Sequence, residues 1–234
     1  MKEIPNLGKN LVIEVNGKKF ARIPIKTHVI TPEDNLDEVI KKYLKNFLEK
    51  DDIVFVAEKI IAILQNRAYP LVEIKKTKPA IFLSKFVSKK PGGIGLAMPE
   101  TMQVAIEEVG FFRIFLALVG AAITKPLGIK GLFYIIAGDG ARAVDGPTPN
   151  TIPPYNQYVV KGPEKPKKVA EHIASIIGRP VVIVDANDRG IRILGTSKSF
   201  TMSKKIFQRI LKDNPLGQSS ESTPIGILRI LNNN

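Results

Sequence analysis

Apolar side chains in the first third of the chain change period twice, and each change marks an element. Leu11 to Val15 and Phe20 to Ile25 are short β-prone runs separated by Asn16-Gly17, a pair that suits a tight two-residue turn, so they read as a β-hairpin. Leu36, Val39, Ile40, Tyr43, Leu44, Phe47 and Leu48 then recur on one helical face, and Asn35 followed by Glu38 has the spacing of a capping box. Ile53 to Ala57 reads as a short strand. Glu58, Lys59 and the run Ile60 to Leu64 read as a helix that starts directly from its end.

A long helical pattern extends from about Glu100 to Ile123. Leu132 to Ala137 reads as a buried strand, followed by the Gly-rich turn GDGARAVDG. Prolines at 147, 149, 153, 154, 163 and 166 then break regular structure. The stretch near 146–166 is either a junction between two subdomains or an ordered active-site loop. Val169, Ala170, Ile173, Ile176 and Ile177 form a further amphipathic helix, and Val181 to Val184 and Ile191 to Leu194 flank the DANDRG turn as a hairpin. Ser203 opens a last helix with Ile206, Phe207, Ile210 and Leu211 facing inward, and GQSSESTPIGILRI is a polar loop running into a strand. There is no internal repeat.

Two acidic turns stand out, VDGPTPN around Asp145 and VDANDRG around Asp185. Each follows an apolar run read as a strand, so both carboxylates are expected at strand ends, facing one cleft. Mg²⁺ and Mn²⁺ are usually held by one or two carboxylates plus substrate phosphates, which points to phosphoryl chemistry. The other reading of each turn is a loop in which Asp, Asn and Gly tolerate unusual backbone angles. DANDRG is not a calcium loop, because Arg189 and Thr196 stand where that pattern needs oxygen ligands and an acid.

With 234 residues and 44% hydrophobic content, the chain can bury a substantial core. It has no Cys and only His28 and His172, so disulfides, thiolate chemistry and a His-based zinc site drop out and any metal is bound through oxygen. A formal charge of +13 favours anionic partners. Lys is scattered, however, Arg is scarce and Trp absent, which disfavours a nucleic-acid groove. No secretory signal opens the chain, so a cytoplasmic protein is expected. The apolar segment Val109 to Ile123 carries Arg113 and falls short of the roughly 20 residues of a bilayer span; a buried helix or a subunit-interface helix accounts for it, with no membrane partner.

Neither GxxxxGK followed by Ser or Thr nor a strand-borne GxGxxG occurs. Lys59 at a strand-to-helix junction can read a phosphate or simply solvate the first turn. KKPGGIG, Lys89 to Gly95, can cradle a phosphate or serve as an exposed connector.

RIPIKTHVITPEDNLDEVI, DDIVFVAEKIIAILQNR, VDGPTPN, RPVVIVDANDRG and GQSSESTPIGILR, in that order, resemble the coenzyme F-420 gamma-glutamyl ligase family over most of the chain. The resemblance implies an α+β fold, a mixed sheet with helices in two interpenetrating subdomains of one ligase-like domain over residues 1–234, and an intertwined homodimer. It also implies a GTP-driven reaction in which a small acidic acceptor is activated as an acyl phosphate and L-glutamate, or a similar amine, forms the amide. Asp145 and Asp185 would hold a divalent Mg or Mn ion, and Lys59 would bind phosphate. Ile23, Pro24, Ile25, Lys26, Glu58, Asn150, Gln218 and Glu221 would contact the nucleotide. Ala186 offers no side-chain oxygen, so either Asn187 or Asp188 supplies the neighbouring metal ligand or the second metal site is altered; Glu221 can complete it. A divergent ligase with another acceptor and a non-enzymatic basic module for nucleic acid or another anion are the competing expectations.

Overall fold

The structure, a computed structural model, describes residues 4–87, 95–129, 131–149, 151–187, 190–217 and 221–231. Its contacts divide into two units, Met1–Gln65 with Pro163–Asn234, and Asn66–Gly162. The first unit opens with β1 (Val12–Val15), β2 (Lys18–Ile25), α1 (Leu36–Leu44), β3 (Ile53–Ala57) and α2 (Glu58–Leu64). The second comprises β4 (Ala68–Pro70), α3 (Lys78–Ser84), α4 (Pro99–Val109), α5 (Phe111–Thr124), α6 (Leu132–Arg142) and β5 (Tyr158–Val160). The chain then returns to the first unit with α7 (Pro166–Ile177), β6 (Val181–Asn187), β7 (Gly190–Thr196), α8 (Lys204–Ile210) and β8 (Ile225–Leu231).

A mixed six-stranded sheet, ordered β1-β2-β8-β3-β6-β7, forms the first unit, so the fold is α+β as the family resemblance implied. Only β3 and β6 run parallel; the other neighbours are antiparallel. The opening hairpin turns at Asn16 and Gly17, with φ of 54° and 74°, the conformation the sequence signalled. Asn35 caps α1, its side-chain oxygen accepting from the Asp37 and Glu38 amides at 2.9 and 3.3 Å. The helix ends at Leu44, so Phe47 and Leu48 continue the apolar period without continuing the helix.

Both faces of the sheet are covered, and for this reason the central strands read as continuous apolar runs instead of alternating ones. Phe55, Val182, Val184 and Leu228 face α8 and bury Phe207 and Ile210. The opposite face meets α2 and α7. Gly195 lets the start of α7 approach β7 closely, since a Cβ there would sit 2.5 Å from the Lys167 nitrogen. A bulge beside it shifts the register between Ile183 and Val184.

In the second unit the expected strand Leu132 to Ala137 is the start of α6. A short apolar run carries no decisive period. Here burial at Phe133, Ala137 and Ala141 follows the helical repeat, and Gly120 of α5 leaves room for Ile136. The Gly-rich turn is also helical, kinked at Gly138 (φ 84°) and ending at Arg142. Glu100 to Ile123 is two helices, because Gly110 adopts φ 89° between them. The Pro-rich stretch contains β5, which pairs with β4; neither strand, nor α3, was expected. α5 itself is buried on one side only. Of KKPGGIG only Gly95 lies within the described residues.

Two arginines, buried Arg22 and partly buried Arg229, brace the sheet. Arg229 of β8 holds fully buried Asp52 through two 2.9 Å contacts, donates to the Phe47 carbonyl at 3.0 Å and reaches Glu49 at 2.7 Å. Arg22 of β2 pairs with Asp213 and donates to the carbonyls of Asn10 and Ile210, tying the strand to the end of α8.

Removing one partner of a buried ion pair leaves an uncompensated charge, so Arg229→Ala, which strips fully buried Asp52 of its cation, should cost about 3–5 kcal/mol, read as a shift in the denaturant midpoint. Burial pushes the Asp213 carboxyl upward, but Arg22, aided by Lys9, holds it below the usual 3.8. Its folded pKa is therefore the lower one, and its contribution to stability is present above the unfolded value of about 4 and fades as pH falls through the folded value. Asp213→Asn should flatten the acid limb of the stability–pH curve below about pH 4 while leaving the slope near neutrality unchanged.

Candidate active site

Registration in the first sheet brings one set of strand ends together. Ile25 of β2 lies opposite Ile225 of β8, Ile225 lies opposite Val56 of β3, and Ala57 lies beside Val184 of β6. Beyond the strands the alignment continues, because the Thr27 amide donates to the Ser222 carbonyl and the Ala57 amide to the Pro224 carbonyl, both at 2.8 Å. Lys26, Glu58, Lys59, Asp185 and Glu221 consequently all leave the sheet at the same edge. Ligands of open sheets with parallel strands bind at such edges.

The individual side chains differ in what they can reach. Ile23, Pro24 and Ile25 are core residues, with Ile25 only 2% exposed, so this segment can offer a ligand its main chain and the exposed Lys26. Glu58 and Lys59 are half-buried in the first turn of α2. Glu221 lies over Gly217: a Cβ on that glycine would stand 2.7 Å from the carboxyl carbon, and φ is +75° there. The following segment is pinned by Thr223, which donates to the Leu216 carbonyl at 2.6 Å and accepts from Asn6 at 2.8 Å.

Asp185 lies within β6, one residue past the paired Val184 and two before the strand ends. Strand alternation turns Val184 and Ala186 into the core under α8 and puts Asp185 and Asn187 on the other face. The Asn187 amide donates to Asp185 Oδ1 at 3.3 Å, and Arg192, directly across the hairpin, brings its Nε to 4.0 Å from Oδ2. Arg192 was not foreseen. It was accessible in principle: the pairing of Asn187 with Gly190 in the expected hairpin sets Asp185 opposite Arg192.

Asp145 belongs to the second unit. Its main chain forms a single antiparallel bridge with Val160 of β5, at 2.8 and 2.9 Å, and its side chain is exposed. It does not follow a strand, since the run before it is helical. Gly146 packs on fully buried Thr101, where a Cβ would lie 2.9 Å from Oγ1. Beyond the bridge, Lys161 and Arg67 share Glu108 at 3.2 and 2.6 Å. Asn150, Asp188 and Gln218 lie outside the described residues.

Among the described residues no three His, Asp or Glu side chains converge as a metal cage. A partly exposed carboxylate with an amide oxygen beside it is nevertheless the hard, oxygen-only donor set that Mg²⁺ or Mn²⁺ accepts when phosphates complete its coordination. Asp185 and Asn187 fit that requirement.

A sequence model of the F420-0:gamma-glutamyl ligase family matches residues 24–227. The chain belongs to this family. No curated protein matched it. The ligase match starts in β2 and ends in β8, so it takes in the aligned strand ends, all of the second unit and every candidate residue except Ile23. Membership makes the protein one of a family of ligases associated with F420 biosynthesis, whose members use GTP and a divalent cation.

Alignment of this edge rests on β8 staying in register with β3. Gly226 lies opposite Phe55, whose ring atoms would stand 2.2–2.7 Å from a Cβ at that position. Gly226→Val should destabilise the protein by about 1–3 kcal/mol, measured by denaturant unfolding, and Phe55→Leu in the same chain should recover part of the loss.

Proposed function

We propose that this protein is a metal-dependent, GTP-driven gamma-glutamyl ligase. It would join L-glutamate, or a similar amine, to a small acidic acceptor of the coenzyme F420-0 type, with both units acting as one ligase domain in a homodimer. The observation that carries the reading is the family match over residues 24–227. Supporting it is the common edge at which Lys26, Glu58, Lys59, Asp185 and Glu221 emerge.

In the proposed reaction an acceptor carboxylate oxygen attacks the γ-phosphorus of GTP and GDP leaves. The glutamate amine then attacks the acyl carbon, the C–O bond to phosphate breaks, and the nitrogen gives up a proton as the amide forms. Phosphoryl transfer requires chiefly positioning and neutralisation of charge. Asp185, with Asn187 or Asp188, would hold a divalent ion, whose positive charge would offset the negative charge of the phosphates. Asp145 is proposed as a second carboxylate needed for the same ion-dependent activity. Lys59 and Lys26 would read phosphate as point charges, Arg192 would orient Asp185, and Ile23 to Ile25, Asn150, Gln218 and Glu221 would hold the nucleotide.

Thermal unfolding of the full chain with GTP, ATP and GDP, each with and without Mg²⁺ or Mn²⁺, tests the reading. Nucleotide at a hundredfold above its dissociation constant should stabilise the native state by about 2.7 kcal/mol, only with metal present. Asp185→Ala, Asp145→Ala and Lys59→Ala should each abolish most of that shift without lowering the unliganded Tm. A metal-independent shift, or none with any nucleotide, would overturn the ligase assignment and favour a basic binding module, recognised by nucleic-acid affinity that falls steeply with salt.

A further inference from the structure

One hydrogen-bond network, centred on His28, holds the chain that leaves β2 at the candidate edge. Exposure alternates there: Lys26 and His28 are exposed, and Thr27 between them is buried. Lys26 and His28 therefore share the outer side of the segment. Thr27 pins the inner side, its amide donating to the Ser222 carbonyl at 2.8 Å and its hydroxyl to the His28 carbonyl at 2.7 Å.

The outer side is held by Tyr43, in the last turn of α1. Its hydroxyl accepts from the His28 amide at 3.0 Å and stands 2.7 Å from His28 Nδ1, with the ring centroids stacked 5.7 Å apart. Because that oxygen already receives the main-chain proton, its own proton goes to Nδ1, which assigns the imidazole proton to Nε2. Nε2 lies 2.8 Å from Asp34 Oδ1 and donates there. The other Asp34 oxygen accepts from the Thr31 amide at 2.8 Å and from the Thr31 hydroxyl at 3.1 Å. Burial pushes the Asp34 carboxyl upward, but Thr31 and His28 hold it below the usual 3.8, so it accepts as a carboxylate. Each donor in the network thus meets an acceptor.

Neither Asn35, which caps α1, nor the Thr27 amide uses the imidazole. What the Tyr43–His28 link fixes in addition is the course of the outer side, from which Lys26 leaves the sheet. A lysine is a point charge on a flexible four-carbon stem, so the fold controls chiefly where that stem starts and in which direction. Resting on the ligase reading, in which Lys26 meets a nucleotide phosphate, we propose that His28 and Tyr43 are positioning residues for that contact. They set the start of the Lys26 stem so that its ammonium reaches the phosphates without a search over many chain directions.

Calorimetric titration of the full chain with GTP and Mg²⁺ tests this in a double-mutant cycle. Tyr43→Phe keeps the ring and loses only the hydroxyl; it should weaken nucleotide binding at least threefold with little change in the unliganded Tm. His28→Ala should match it. His28→Asn, whose amide oxygen can accept the Tyr43 proton, should recover part of the affinity. Lys26→Ala should weaken binding at least as much as Tyr43→Phe, and adding Tyr43→Phe to it should cost nothing further, since the effect runs through the lysine. A general loosening of the fold would instead add its loss to that of Lys26→Ala. Unchanged binding by Tyr43→Phe or His28→Ala, a loss that persists in the Lys26→Ala background, or a His28→Asn no better than His28→Ala overturns the proposal alone. Absence of metal-dependent GTP binding by the wild type overturns the ligase reading and this inference with it.

Discussion

A strand from the far end of the chain closes the middle of the first sheet, and this placement governs most of what the molecule can do. β8 lies between β2 and β3, antiparallel to both, so the opening hairpin has no other link to the β3–β6 pair within the sheet. Main-chain hydrogen bonds fix its direction, while side chains fix its register. Gly226 admits the Phe55 ring, and Arg229 fastens the strand to buried Asp52. Because strand register moves in whole residues, a slip of one would turn every apolar side chain of β8 to the wrong face.

The proposed ligase chemistry inherits that registration. Two parallel strands, β3 and β6, end side by side, and the antiparallel β8 starts next to them, which gathers cations and carboxylates from three distant parts of the chain at one edge. A carboxylate set opposite an arginine, as Asp185 is opposite Arg192, is held in orientation while staying partly exposed to a cation. Such an arrangement suits reactions whose barrier is lowered by fixed charge, as in the activation of a carboxylate by phosphoryl transfer.

The second unit is built differently. Its core is a stack of helices in which small residues permit close approach: Gly120 accommodates Ile136 and Gly140 accommodates Val109. α5 is apolar nearly all round but buries only part of its circumference in the chain. The apolar content that suggested a buried or interfacial helix is therefore divided between a core face and an open face.

Local chemistry alone settled several elements: the Asn16-Gly17 hairpin, the Asn35-capped α1, the direct passage from β3 to α2, α7, and the β6–β7 hairpin, where period and turn residues agree. The family could likewise be read from the order of five segments. Leu132 to Ala137 and the Gly110 break were misread because a short apolar run satisfies both helical and extended periods, and only burial at Phe133, Ala137 and Ala141 selects the helix. The core positions of Ile23 and Ile25, the bridge that carries Asp145, and the meeting of Lys26, Lys59, Asp185 and Glu221 at one edge were likewise beyond the sequence. Periodicity records which face of an element is apolar, but strand order and register depend on contacts between segments far apart in the chain, and these alone decide which polar residues end up together.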